Sequence, residues 1–261
     1  FTLEGLNLTG IDISTINLAQ DGLLKLKSAE QMINNECIKF HGTLDRLNII
    51  YSHTEKMVEN IQEAKENVKD TETSREPDMV AYNSLSQIIK LEKLTQTRGL
   101  TQANSNIQDG ISLLKFADDS LTILATAINK EKEYLDMANK LYEQPNTIER
   151  TNTLNAIDYN VKEMLKTIDL IVNATSFNGL KVINGSCSNI RLNVGADSSD
   201  VIIISIGNYA TVGLNISDIN VLTQNAIELS RSKLDNANKQ INDEHANISE
   251  ITNTLKQMLN D

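Results

Sequence analysis

The residues that could perform acid–base or metal chemistry are few and scattered along the sequence. The histidines, His41, His53 and His245, have no second histidine or cysteine at a metal-ligand spacing. Asp243 and Glu244 precede His245, and a carboxylate beside an imidazole could support general acid–base catalysis. This triplet falls on a helical pattern with no second reactive cluster near it, so we predict a structural or surface role for all the histidines.

Two acidic pairs could hold a cation weakly. Asp118 and Asp119 are adjacent, whereas Asp197 and Asp200 stand in a short polar segment. Carboxylates are favoured at helix starts and in turns, so we predict those roles for the two pairs. The sequence contains no Gly-rich phosphate loop, nucleophile motif or metal-ligand set. We therefore predict neither an enzyme nor a bound cofactor.

The two cysteines, Cys37 and Cys187, match no metal motif and cannot build a disulfide framework. Cys37 falls on an apolar helical pattern, which predicts a buried, unreactive thiol. The formal net charge of −11 argues against nucleic acid or an anionic membrane as the main partner. No run of eighteen apolar residues could span a membrane, and the sequence does not open with a signal peptide.

Composition favours long, slender helices. Only 4% of the 261 residues are aromatic, none is tryptophan, and two are proline. Four segments carry apolar residues at steps of three, four or seven, the repeat of a coiled coil. Each such stripe needs a facing helix to bury it. We therefore predict a mainly α protein: an elongated antiparallel helical bundle or coiled-coil rod with a small β-hairpin patch.

The apolar positions of these segments are as follows. The first stripe, interrupted at Glu30 and Thr54, comprises Leu23, Leu26, Ile33, Cys37, Phe40, Leu44, Leu47, Tyr51, Val58, Ile61 and Val68. The second and third comprise Leu114, Ala117, Leu121, Leu124, Ile128 and Leu135, and then Leu154, Ile157, Val161, Met164, Ile168 and Ile171. The last comprises Leu234, Ala237, Ile241, Ile248, Ile251, Leu255 and Met258.

Turn-forming residues indicate where these helices begin and end. We expect Asp12 or Ser14 to cap the first helix and Pro77 to end its segment. Asp78 would then cap a helix over about 79–106. Gly99 and Gly110 interrupt this region. Gly110 marks either a kink or a close contact that leaves no room for a side chain.

The second half of the chain contains one proline and one change of period. Pro145 predicts a connection between two antiparallel helices. Alternation at 190–194 and the β-branched run 201–206, joined by a turn at 195–200, predict a hairpin. Ser217 or Asp218 is the expected cap of the last helix.

Several ordered motifs resemble those of bacterial flagellin. Arg-Gly-Leu-Thr-Gln-Ala occupies 98–103 and Asp-Gly-Ile-Ser occupies 109–112. Thr-Ser-Phe-Asn-Gly follows at 175–179, and Val-Gly-Ala at 194–196. The resemblance predicts segment 79–177 as the family's N-terminal-type helices and 178–215 as its β-hairpin region.

The first and last segments resemble the family's C-terminal helix. Leu-Asp-Arg-Leu at 44–47 and Lys-Asp-Thr-Glu at 69–72 carry this likeness in segment 1–78, and segment 216–261 resembles the start of the same helix. A C-terminal-type segment thus precedes an N-terminal-type one. An engineered rearrangement, a naturally permuted relative, and generic heptad similarity in the first third all fit this order.

The resemblance implies a secreted, extracellular structural subunit that self-assembles into the flagellar filament and serves motility. Its implied partners are further copies of itself, a flagellar secretion chaperone and Toll-like receptor 5. The family's receptor-recognition helix aligns with Ile128–Tyr134, so Asn129, Lys130, Glu133 and Tyr134 form a candidate receptor or subunit interface. The alternative for these four residues is a solvated helix face. Alternative functions are a non-polymerising binding module and a hook–filament junction protein.

Overall fold

The computed structural model describes residues 2, 4–11, 14–73 and 84–260, with the side chains of 57, 61–94 and 260 left out. Long α-helices make up most of this part of the chain: α1 (Ile16–Thr73), α2 (Ser84–Tyr142), α3 (Ile148–Ala174) and α4 (Gln224–Asn260). At 1.5 Å per residue, α1 and α2 are each about 87 Å long. The predicted mainly α, elongated fold is confirmed.

Contacts between side chains define how the helices run. Asn60 of α1 reaches Asp119 of α2, whereas Asp45 reaches Tyr134, so α1 and α2 are antiparallel. His53 of α1 contacts Thr175 at the end of α3, which runs parallel to α1. Helix α2 also pairs antiparallel with α4 through contacts including Asp136–Arg231 and Asp118–His245. Helix α2 is therefore the central element of the bundle.

The core lies between α2, α3 and α4. All predicted apolar positions of α2 and α3 are buried, as are those of α4 except Ile251, which is half-buried, and Met258, which is exposed. Each of these helices presents one stripe and finds a partner for it within the chain. The coiled-coil prediction is therefore confirmed for the second, third and fourth stripes.

The prediction that the first stripe is buried in the chain is wrong. Its large apolar residues are exposed, and so is Cys37, which was expected to be a buried thiol. Helix α1 instead turns Ile49 and a set of small or polar residues towards the bundle, namely Gly22, Ala29, Gly42, His53 and Asn60. The reason is that the stripes of α2, α3 and α4 already fill the core. Ile61 and Val68 lie among the side chains that are not described.

Two predicted helix starts are corrected. Helix α1 begins at Ile16, and the Thr15 hydroxyl accepts a hydrogen bond from the Leu18 amide (3.3 Å), as an N-cap does. Helix α4 begins at Gln224, and the Thr223 hydroxyl accepts a hydrogen bond from the Ala226 amide (3.1 Å), again as an N-cap does. The expected caps Ser217 and Asp218 precede that start. Asp12, Pro77 and Asp78 lie outside the described residues.

Helix α2 is continuous through both glycines. A Cβ at Gly110 would stand 2.6 Å from Leu192 Cδ2, and one at Gly99 would stand 3.2 Å from the Ala196 backbone. The glycines therefore let the β-hairpin approach the helix, which favours the close-contact explanation over the kink. Asp118 and Asp119 lie within this helix, so their predicted helix-start role is wrong.

Two small antiparallel hairpins follow α3. Strands β1 (Ser176–Phe177) and β2 (Leu180–Lys181) are joined by Asn178 and Gly179, whose φ values of 50° and 81° fit a type I′ turn. Strands β3 (Ile190–Asn193) and β4 (Val201–Ile204) pair from Ile190–Ile204 to Asn193–Val201, as the alternation predicted. The connection at Pro145 is also confirmed, since α2 ends at Tyr142 and α3 begins at Ile148.

Candidate subunit interface

The four predicted interface residues lie on α2 but point in different directions. Asn129 and Glu133 are exposed, Lys130 is half-buried, and Tyr134 is buried at 3% exposure. The structure thus brings Lys130, Glu133 and Tyr134 together at the contact with α1. It places Asn129 at the contact with α4, away from the other three.

Asp45 of α1 is the centre of the first contact. It accepts a hydrogen bond from the Tyr134 hydroxyl (2.9 Å), and the Lys130 ammonium lies 3.4 Å from the same oxygen. Lys130 also pairs with Glu133 at 2.7 Å. Burial, together with the hydrogen bond to Asp45, raises the pKa of Tyr134, so its hydroxyl stays protonated as a donor. This cluster holds α1 against α2.

The contact between α2 and α4 is polar along its edge. Asn238 donates to Asn129 (2.9 Å), and Lys132 pairs with Asp235 (2.6 Å). The exposed pair of Arg231 with Asp136 continues this row. Exposed ion pairs contribute little energy each, so they fix the register of the two helices more than their stability.

Among the four candidate residues, the solvated-face alternative is wrong at Tyr134. Ile128, Glu131 and Tyr134 are buried, and the exposed fraction of Glu131 is 0%. Neither Glu131 carboxylate oxygen has a hydrogen-bond partner among the described residues. Burial, with a smaller contribution from Asp158, raises the pKa of Glu131 well above its usual range, which favours the neutral acid.

The burial of Glu131 could have been found from the sequence. Ile128 and Leu135 are seven residues apart, and alternating steps of three and four place a core position at 131 between them. A search for apolar residues alone passes over position 131, because glutamate is polar. The heptad spacing was the better guide than the residue type.

The histidines take structural positions. His53 is buried, and its Nε2 lies 2.9 Å from the Thr175 hydroxyl; that hydroxyl donates to the Ile171 carbonyl, which leaves His53 as the donor to it. His245 Nδ1 lies 2.5 Å from Asp118 on α2. His41 is exposed. Among the residues that the structure describes, no group of three or more histidine, cysteine or acidic side chains could hold a metal ion.

The outer face of α1 is an exposed apolar surface, although its residues were predicted to be buried. We call it the α1 stripe and define it as Leu23, Leu26, Ile33, Cys37, Phe40, Leu44, Leu47, Tyr51 and Val58. Leu23 is 70% exposed, Phe40 65% and Tyr51 64%. Large apolar side chains aligned over some 36 residues form a contiguous patch, and such patches mark sites of protein association. The sequence located these residues correctly but assigned them to the wrong environment.

The described helices contain no segment long and apolar enough to cross a membrane. The described helices form a rod with a closed core, polar edges between its helices and an apolar stripe along one side. Residues 88–188 match the family model of the bacterial flagellin N-terminal helical region. The chain is therefore similar to bacterial flagellin over this central segment.

The chain is also similar to individual flagellins. The chain is 28% identical to the flagellin of Xenorhabdus nematophila over 145 residues, which is 56% of this chain and 44% of that protein. It is 23% identical to the flagellin of Bacillus subtilis over 258 residues, 87% of this chain and 80% of the relative. The chain therefore spans less than half of the Xenorhabdus protein and most of the Bacillus one.

A solved structure shares the fold. The crystal structure of Bacillus cereus flagellin matches with a TM-score of 0.52 at 23% identity, and the match covers 60% of this chain and 88% of that one. At this identity the comparison bears on the fold alone. It supports the helical bundle with its small β patch.

Proposed function

We propose that the chain is a structural subunit of the bacterial flagellar filament, secreted to the cell exterior, where copies associate through their helical rods to give motility. The observation that carries the proposal is the combination of a self-sufficient core with the exposed α1 stripe. The bundle buries the stripes of α2, α3 and α4 internally. The stripe of α1 remains available for contacts with further subunits.

Four segments of the chain would have different structural roles within such a subunit. We propose that 79–177 and 216–261 build the rod and that 178–215, which includes the two hairpins, contributes a lateral surface. Segment 1–78 would supply the outward-facing apolar helix. The family match over 88–188 supports this division for the central segment.

Immunogold electron microscopy of flagella from the source bacterium tests the filament role. Antibodies raised against the purified chain should label filaments along their whole length. Label confined to the boundary between hook and filament would replace the proposal with a junction protein. If the antibodies detected the protein in the culture medium but left the filaments unlabelled, a non-polymerising module would replace the proposed filament subunit. A strain lacking the coding sequence is the control for antibody specificity.

Two further partners follow from the family likeness, a flagellar secretion chaperone and Toll-like receptor 5. Receptor contact would use Asn129, Lys130, Glu133 and Tyr134. In the structure Tyr134 lies beneath α1 and Lys130 pairs with Asp45, so receptor contact through all four residues would need α1 to move away. Binding of the receptor ectodomain to the purified chain tests this. Asp45→Ala, which loosens the α1 contact, should strengthen binding, and equal binding by both forms would contradict it.

A further inference from the structure

We propose that two copies of this chain pair through their α1 stripes as an antiparallel coiled coil, with the two-fold axis passing near residue 42. This contact belongs to the free subunit and competes with filament contacts through the stripe, because a two-fold contact closes on itself whereas a filament needs contacts that repeat head to tail. The occupant of the stripe is thus a second α1 helix. Three features of the stripe support this choice.

The first feature is its size. Its apolar side chains expose on the order of 800 Å² per chain, which is the share of one partner in a stable protein–protein interface of standard size. The residues follow the a and d positions of a coiled coil from Leu23 to Val58, over about 54 Å of helix. The opposite side of α1 carries Gly42, Ile49 and His53, which face the bundle. The stripe can therefore be covered without disturbing the fold.

The second feature is the position of the interruptions. Glu30 and Thr54 are the polar residues within the stripe, and both are exposed. An antiparallel pair centred at residue 42 places Glu30 of one copy opposite Thr54 of the other, twice. All remaining layers are then apolar or thiol: Leu26 faces Val58, Ile33 faces Tyr51, Cys37 faces Leu47 and Phe40 faces Leu44. If one helix were shifted along the other by a heptad, Glu30 and Thr54 would no longer face each other, and polar residues would occupy more layers of the coiled coil.

A parallel, in-register pair would do worse. It would place Glu30 against Glu30 of the second copy, and like charges at a core position of a coiled coil are destabilising. It would also place Cys37 against Cys37. The sequence of the stripe reads the same towards both ends only in the antiparallel arrangement, and this self-complementarity is the requirement of an isologous contact.

The third feature is the flanking charge. Lys27 and Glu55 each follow a d position, and residues at these positions lie beside one another across an antiparallel pair. The arrangement places Lys27 of one copy next to Glu55 of the other on both sides of the axis. Lys27 is well exposed, and its contact within the chain, with Glu149, is long at 4.0 Å. It is free to turn towards the second copy.

Disulfide trapping tests the register. Under oxidised glutathione, Leu47→Cys should give a covalent dimer through Cys37 of the partner copy, because the two positions share a layer. Asn34→Cys is the matched control, since residue 34 is exposed on the same helix but lies about 20 Å along the axis from the position facing Cys37. Cys187 is buried and burial raises its pKa to about 11, so it does not compete. Crosslinking of the unsubstituted chain through Cys37 alone would indicate parallel pairing and overturn the proposal.

Sedimentation equilibrium tests the contact itself. The unsubstituted chain should be a dimer at micromolar concentration, and Phe40→Glu should weaken it roughly 100-fold or more, because the charge enters a central apolar layer twice. Residue 40 is exposed in the single chain, so circular dichroism of the variant should be unchanged. The proposal would be overturned if the unsubstituted chain stayed monomeric up to 100 μM, including the case in which a different protein binds the stripe. It would also be overturned if the Phe40→Glu variant still dimerised. Immunogold label on filaments is unaffected by either result, so the filament role is tested separately.

Discussion

Glu131 is one residue that should make the stability of the bundle depend on pH. Its carboxyl group is buried beside Asp158, and its pKa is raised above the unfolded value of about 4.3. The folded state therefore holds a proton that the unfolded state releases. The contribution to stability is full below the unfolded pKa and is lost as pH rises towards the folded pKa.

The first prediction concerns Glu131→Gln, which keeps the shape of the neutral acid. The variant should be more stable than the parent at pH 7–8, and the difference should shrink towards pH 4. The substitution should remove a pH dependence of the free energy of unfolding of up to about 1.4 kcal/mol per pH unit. Urea denaturation followed by circular dichroism at several pH values measures it. Glu133→Gln, on the exposed side, is the control and should leave the slope unchanged; an identical slope in both variants would contradict the assignment.

His53 gives a second prediction, with the opposite sign. Burial lowers the pKa of His53, so its neutral form is favoured in the folded state. The stability it contributes is present above the unfolded pKa of about 6.5 and is lost as pH falls towards the folded pKa. His53→Gln should therefore lose less stability than the parent between pH 7.5 and pH 5.5. The exposed His41→Gln variant should behave as the parent does.

At the scale of elements, the approach of α1 to α3 depends on a glycine. A Cβ at Gly42 would stand 2.3 Å from Cγ of Asn160, a fully buried side chain whose amide donates to the Ile38 carbonyl (2.8 Å). Asn160 thus bonds the backbone of the neighbouring helix at the point where that helix carries no side chain. Such a contact is lost if either helix moves outwards.

Gly42→Ala should destabilise the chain by about 1–3 kcal/mol, because displaced Asn160 loses its partner while buried. The loss outweighs the gain of about 1 kcal/mol in helix propensity. Urea denaturation measures the change, and limited proteolysis should cut within α1 first. Asn48→Ala, an exposed substitution on the same helix, is the control. Equal stability of the two variants would show that the Gly42–Asn160 contact is not needed.

The elements differ in how far the sequence could predict them. Spacing alone located all the stripes, and the alternation at 190–194 located the hairpin of β3 and β4, because these are local properties of the chain. The hairpin of β1 and β2 was not predicted. The helix starts at Thr15 and Thr223 were missed, since several capping residues stand close together and only tertiary contacts choose between them. Which side of α1 is buried depends on the space that α2, α3 and α4 leave, and spacing carries no information about that.

At the scale of the whole molecule, the four predicted interface residues show the same limit. All four residues lie on the predicted helix, but Asn129 contacts α4 whereas Tyr134 contacts α1. The sequence gives no direct sign that two helices distant along the chain cover one short stretch of a third. What the sequence does establish is the architecture: long helices, few aromatic residues and no reactive cluster, all typical of a structural rod.

The central claim is that the chain is an elongated rod, and small-angle X-ray scattering tests it most directly. The measurement should use the Phe40→Glu variant at low concentration, so that self-association does not contribute. A rod with helices of about 87 Å predicts a radius of gyration of about 25 Å or more. A compact domain of 261 residues would give about 18 Å. The smaller value would contradict the account.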